Sequence, residues 1–87
     1  MTNEEKEELR RATLQAVAIR HPAALTVKQI ARAVKREVPF LFEESDLTAA
    51  LELLAGLSLV EFAVEELGVT KYWRATAAGV LKIEREG

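Results

Sequence analysis

The chain has 87 residues and a net charge of −2, and 49% of its residues are hydrophobic. These values exclude an intrinsically disordered chain, and no apolar run approaches the roughly 20 residues of a membrane-spanning helix. Cysteine is absent, which excludes disulfides and thiolate metal sites. We therefore predict one small domain over residues 1–87, with no membrane association. Because the first residues are polar and acidic, unlike a secretory or transit peptide, we expect a cytoplasmic protein.

A first helix is predicted near residues 3–20. Thr2 and Glu5 have the spacing of a capping box, in which each side chain accepts a hydrogen bond from the other residue's backbone N–H. The His21-Pro22 pair marks the end of this helix, since helices rarely continue into a proline. His21 is the sole histidine, and at a helix C-terminus we expect its partial positive charge to interact with the free carbonyl groups.

A second helix is predicted near residues 26–37, where Thr26 and Gln29 have the same capping-box spacing. One face of this helix is apolar and consists of Val27, Ile30, Ala31, Val34 and Val38. The opposite face is basic and consists of Lys28, Arg32, Lys35 and Arg36. The pattern is typical of an amphipathic helix that packs its apolar face on a core.

A third helix is predicted near residues 45–56. In the connection before it, Phe40 and Phe42 are expected to close the core rather than to line a ligand pocket. Four leucines recur in the helix at intervals of three and four residues, which places them on one face. They are Leu47, Leu51, Leu54 and Leu57.

The hydrophobic period then changes to two, which is typical of a strand with one buried face. Val60, Phe62 and Val64 are the residues predicted to point inward. A turn at residues 66–69 and a returning strand at 71–76 complete a hairpin over about 58–76. Thr76 occupies the N-cap position of a final helix near residues 77–86.

This order of elements resembles that of the winged helix-turn-helix family, and two motifs support the resemblance. The third helix of that family commonly ends in leucines followed by Leu-Gly-Leu-Val, and this chain has Leu51, Leu54, Leu57, Ser58, Leu59 and Val60, with Ser58 in place of the glycine. The family's wing commonly closes on an aromatic, a basic and an apolar residue and then Thr-x-x-Gly, which here are Trp73, Arg74, Ala75, Thr76 and Gly79.

The resemblance implies an α+β fold with a three-helix core, a β-hairpin wing and a C-terminal helix. It also implies that Leu25 forms a very short strand beside the wing. The family is mostly known for binding DNA, and small prophage-encoded proteins are among its members. The implied function is therefore that of a small DNA-binding transcriptional regulator of bacterial or prophage type, with double-stranded DNA as its partner.

Charge is strongly separated along the chain. Residues 12–36 contain five basic residues and no acidic one, whereas residues 37–70 contain eight acidic residues and no basic one. In a winged helix that docks on DNA, the third helix enters the major groove. Here that helix carries Asp46 and Glu52, and the wing tip carries Glu65 and Glu66. None of these side chains attracts phosphate, which argues against ordinary docking.

Docking as the resemblance implies would divide the contacts between two groups of residues. The residues expected to face bases are Ser45, Thr48, Ala49 and Glu52. The residues expected to face phosphates are Lys28, Arg32, Lys35, Arg36, Lys71 and Arg74. The alternative explanation of these cations is a solvated helix face, because exposed charged faces are normal on small helices.

A different class of function stays open. The acidic third helix and wing could bind a basic protein surface or the basic second helix of another copy, which would make the domain a protein-interaction or dimerisation module without DNA binding. Leu67 and Val69, near the wing tip, would add an apolar anchor.

No pattern of residues predicts catalysis. His21 has no cysteine or second histidine with which to share a metal, and Glu43, Glu44 and Asp46 lack the spacing of a calcium loop. The four glycines are scattered and form no phosphate-binding loop. We expect no catalytic residue, no metal and no cofactor.

Overall fold

The computed structural model describes residues 1–64, 68 and 70–86, and of Val64 it describes the backbone alone. The elements in these residues follow the predicted order, and each begins and ends within two residues of its predicted bounds. They are α1 (Asn3–Ile19), α2 (Val27–Glu37), α3 (Glu44–Gly56), β1 (Val60–Val64), β2 (Lys71–Ala75) and α4 (Ala77–Glu86). The predicted wing-tip contributions of Glu65, Glu66, Leu67 and Val69 lie outside the described residues.

Local hydrogen bonds explain where α1 and α2 begin. The backbone N–H of Glu5 donates to Thr2 Oγ1 over 3.1 Å, and the N–H of Thr2 donates to Glu5 Oε1 over 2.9 Å. The second bond lowers the pKa of the Glu5 carboxyl. Thr26 and Gln29 form the same pair at the start of α2, with distances of 3.2 and 2.9 Å. Both predicted capping boxes are confirmed, and each satisfies donors that a helix N-terminus leaves free.

The start of α3 has a similar side-chain cap. Asp46 is half-buried, and its Oδ2 accepts a hydrogen bond of 2.9 Å from the backbone N–H of Glu43. Its carboxylate therefore closes the first turn of α3, where the helix dipole also favours negative charge.

The apolar faces of α1, α2 and α3 meet in one core, which the inner face of the hairpin completes. Its buried side chains include Leu14, Val17, Ile30, Val34, Leu47, Leu51, Val60 and Trp73. Phe40 and Phe42 are half-buried and pack against this cluster. Leu25 forms an antiparallel bridge with Trp73 through two backbone hydrogen bonds of 2.8 Å, so the predicted short strand is confirmed.

Two apolar residues do not reach the core as their spacing predicts. Leu57 is 61% exposed, because α3 ends at Gly56 and Leu59 is the residue of this segment that packs against the core. Phe62 is 44% exposed, because β1 is the edge strand and its partner Trp73 occupies the inner position. Phe62 instead contacts the Trp73 ring edge-on, with a centroid distance of 5.2 Å.

A short segment before β1 holds the start of α4. Ser58 has a φ of +62°, a left-handed conformation that favours glycine, and it stands where the resembled family has one. Its carbonyl accepts a 2.7 Å hydrogen bond from Thr76 Oγ1, while the Leu59 carbonyl accepts one of 3.1 Å from the Thr76 backbone N–H. Thr76 Oγ1 in turn accepts from Gly79 N over 3.1 Å, which confirms the predicted N-cap.

His21 has a different partner from the one expected. Its Nδ1–H donates to the carbonyl oxygen of Ala75, at the end of β2, over 3.1 Å. The imidazole therefore links the end of α1 to the hairpin, because β2 passes beside the α1–α2 connection. The α1 carbonyls of Val17 and Ala18 accept instead from the backbone N–H groups of Arg20 and His21.

Candidate nucleic-acid interface

The basic face of α2 is the most concentrated group of cations in the described structure. We use this name for the four exposed side chains of Lys28, Arg32, Lys35 and Arg36. The opposite side of the helix holds Ile30 and Val34, which are fully buried, so packing of the apolar side directs the four cations outward. Within the described residues, no carboxylate lies within 4.0 Å of any of the four. All of them are therefore available to an anionic partner.

Three other cations of the described chain already have carboxylate partners. Arg74 forms an ion pair with Glu61, which is directly opposite it in the hairpin register. Arg11 and Lys82 both contact Glu86, over 3.6 and 3.2 Å. Exposed ion pairs contribute only about 0–1 kcal/mol, so they can exchange partners, but Arg74 would first have to leave Glu61.

Lys71 contacts an aromatic ring rather than a carboxylate. Its ammonium lies 5.7 Å from the centroid of the Phe62 ring, which is a cation–π distance. This contact orients the side chain without neutralising its charge, so Lys71 can still attract an anion. Among the described residues, the six predicted phosphate-facing residues therefore divide into four on α2 without an ion pair, an oriented Lys71 and an ion-paired Arg74.

The predicted base-facing residues lie on the outer side of α3, where three of them border two different depressions. Ser45, Ala49 and Glu52 are exposed, whereas Thr48 is half-buried. Thr48 and Glu52 face the hairpin across a cleft, while Ala49 lines a separate depression beside the N-terminus of α1. A duplex that contacts all four would have to extend across α3 from the hairpin side to the α1 side.

The cleft between α2, α3 and the hairpin has a volume of about 500 Å³. Its walls carry two lysines and two glutamates, Lys28, Lys71, Glu44 and Glu52, and the remaining lining residues are Thr26, Val27, Thr48, Thr70 and Trp73. The α3 carboxylates therefore lie beside cations, which offset part of their repulsion of phosphate. Sequence reasoning missed this cleft, because its walls come from segments that are far apart in the chain.

Trp73 lines this cleft, and its indole N–H is a buried hydrogen-bond donor. The residue is 6% exposed, and no described atom accepts a hydrogen bond from its indole Nε1. Buried donors are normally paired, so this one is unusual in the described part of the chain. The aromatic residue of the sequence motif was the signal for this position, although the motif did not indicate an unpaired N–H.

The described residues give no support for metal binding or membrane crossing. No group of three or more His, Cys, Asp or Glu side chains there is arranged to hold a metal ion. No helix in the same part of the chain is both long and apolar enough to cross a membrane.

No model of a known protein family matches this sequence, and no curated protein matches it either. The crystal structure of a PadR family transcription regulator from hypervirulent Clostridium difficile R20291 is similar to this chain, with a TM-score of 0.72 and 18% sequence identity. The similarity covers 90% of this chain and 81% of the regulator. At this level of identity the comparison establishes the fold. Together with the observed order of helices and hairpin, it shows that the protein has a winged-helix fold of the α+β class.

Proposed function

We propose that this protein is a small cytoplasmic regulator that binds double-stranded DNA mainly through the basic face of α2. The observation that carries the proposal is the set of four exposed cations on one helix face, with no carboxylate partner among the described residues. A transcription regulator with a similar fold supports the same conclusion. The origin of the protein in a prophage stays a prediction.

The proposed contacts follow from the exposure of each side chain. Lys28, Arg32, Lys35 and Arg36 bind phosphates, and Lys71 adds a contact from the hairpin side of the cleft. Ser45 and Thr48 supply hydroxyl groups to base edges, Ala49 supplies a methyl group, and Glu52 accepts from a cytosine amino group. Arg74 contributes only when it leaves Glu61.

The salt dependence of binding is set by the number of phosphates that the cations neutralise. Four contacts from the basic face predict a log–log slope of about −3.6 between the binding constant and the salt concentration. Participation of Lys71 and Arg74 raises the count to six and predicts a slope of about −5. The slope therefore measures whether the hairpin cations take part.

The experiment is a fluorescence-anisotropy titration of a mixed-sequence duplex at low and at physiological salt. We expect the double variant Arg32→Glu/Lys35→Glu to abolish binding and to keep its circular dichroism spectrum. The matched control is Lys82→Glu/Arg85→Glu on α4, which changes the net charge equally but alters none of the proposed contacts. Unchanged affinity of the first variant, or an equal loss in both, would contradict the assignment of the phosphates to α2.

A protein-interaction module is the second candidate, because Glu44 and Glu52 present carboxylates on the helix that would face DNA. In that case α3 and the wing bind a basic protein surface, and the duplex does not bind even at low salt. The same titration therefore discriminates between the two functions.

A further inference from the structure

The connection between α2 and α3 carries an unusually exposed leucine. Leu41 is 97% exposed, the highest value among the large hydrophobic residues that the structure describes. It lies in the middle of the Val38–Glu43 loop, where Pro39 is also exposed and Phe40 and Phe42 are half-buried. Single exposed apolar residues are common, but this one belongs to a short apolar run.

The same loop also contains a depression. Its volume is about 310 Å³, and it is lined by Lys35, Val38, Pro39, Phe40, Leu41 and Phe42. The protruding Leu41 therefore lies at the rim of a depression whose other walls are mostly apolar. Two copies of such a surface can bury each other's apolar side chains.

Charges of opposite sign lie on the two sides of the loop. Lys35 and Arg36 are exposed in the last turn of α2, and Glu43 and Glu44 are exposed at the start of α3. Within the described residues none of the four forms an ion pair, and Glu37 only partly offsets the basic side. The helix dipoles favour these signs at these ends, but they do not explain why the loop between them is apolar and exposed.

We propose that two copies of this protein associate through the α2–α3 loop about a two-fold axis. Leu41 of each copy enters the depression of the other, and Lys35 and Arg36 of each copy face Glu43 and Glu44 of the other. Because Lys35 and Arg36 also belong to the basic face of α2, each can face either the partner copy or a phosphate, and this dimer is therefore the state of the protein without DNA. Such an interface is isologous, because one surface supplies both halves of every contact. A purely acidic or purely basic partner would match only half of the surface, whereas a second copy matches both halves.

The first test is sedimentation equilibrium of the whole chain from about 10 µM to about 1 mM. Because the loop is short, the interface is of the small, transient kind, and we expect a dimer dissociation constant within this range. The sample contains no DNA, so the result is independent of the proposed function. A monomer at every concentration would overturn the proposal.

The second test uses Leu41→Ser, with Ile19→Ser as the matched control. Leu41 and Ile19 are both exposed, and Ile19, at the end of α1, has an exposed fraction of 71%. Neither substitution therefore removes a core side chain. Each dimer buries two copies of Leu41, and we expect its replacement to weaken dimerisation at least about tenfold. The control should leave the dissociation constant unchanged. An equal effect of the two substitutions would refute the role of the loop.

The third test exchanges the charges. The variants Lys35→Glu/Arg36→Glu and Glu43→Lys/Glu44→Lys each place like charges on both sides of the loop, so each alone should be monomeric. Their equimolar mixture should dimerise again, because opposite charges then face each other on both sides. Failure of the mixture to associate, while the wild-type protein dimerises, would contradict the proposed two-fold geometry.

Discussion

The contact between Gly79 and Leu59 leads to a sharp prediction about stability. A Cβ atom added at Gly79 would lie 2.0 Å from the carbonyl oxygen of Leu59 and 3.2 Å from Leu14 Cδ1. The first distance is about 1 Å shorter than real Cβ contacts allow. Because the obstacle is backbone, Gly79→Ala requires α4 to move away from the segment before β1.

The expected cost can be worked out from the contacts that this movement disturbs. Overpacking of a close contact costs about 1–3 kcal/mol. The hydrogen bond from Thr76 N to Leu59 O, of 3.1 Å, is weakened at a further cost of about 1 kcal/mol. Alanine regains about 1 kcal/mol through its higher helix propensity. We therefore expect a net loss of about 1–3 kcal/mol in the free energy of unfolding, which lowers Tm by about 4–24 °C in a domain of this size.

The assay is urea unfolding followed by circular dichroism and by the fluorescence of Trp73. The control is Gly56→Ala at the end of α3, where an added Cβ meets nothing within 4 Å. This variant should be as stable as the wild-type protein or more stable by up to about 1 kcal/mol. If Gly79→Ala proved as stable as Gly56→Ala, the argument that close approach of α4 requires a glycine would be refuted.

Two further predictions use the same unfolding assay. Ser58→Gly should raise the free energy of unfolding by about 0.5–1 kcal/mol. Glycine adopts the left-handed conformation without strain, and this gain exceeds the greater entropy that glycine loses on folding. A decrease would show that the serine side chain stabilises the segment. Leu54→Ala should cost about 2–5 kcal/mol because the side chain is 4% exposed, whereas Leu57→Ala should cost less than about 1 kcal/mol because it is 61% exposed. If the two variants lost the same free energy of unfolding, Leu57 would belong to the same buried face as Leu54, as the leucine spacing predicts.

The elements of the fold were predictable because their signals are local. The capping boxes at Thr2 and Thr26 each join residues three positions apart, and helical or strand periodicity extends over one element at a time. These signals placed the helices and the hairpin within two residues of their observed bounds. The winged-helix resemblance also anticipated the bridge of Leu25 with Trp73.

The errors arose where an element ends or lies at an edge. The leucine spacing continues through Leu57, but the helix does not, so the last leucine turns away from the core. The alternation in β1 predicts that Phe62 is buried, but among the described residues no further strand lies beside β1. Periodicity identifies a face of an element, and only packing decides whether another element covers it.

The sequence by itself determined the order of elements, the apolar faces of the helices and the separation of charge along the chain, because these depend on neighbouring residues. The tertiary structure decided which cations are available, since Arg74 meets Glu61 only when the hairpin closes. It also decided why Gly79 must lack a side chain, since Leu59 approaches it only when α4 packs. Both contacts join residues that are not neighbours in the chain, so they form only when the chain folds.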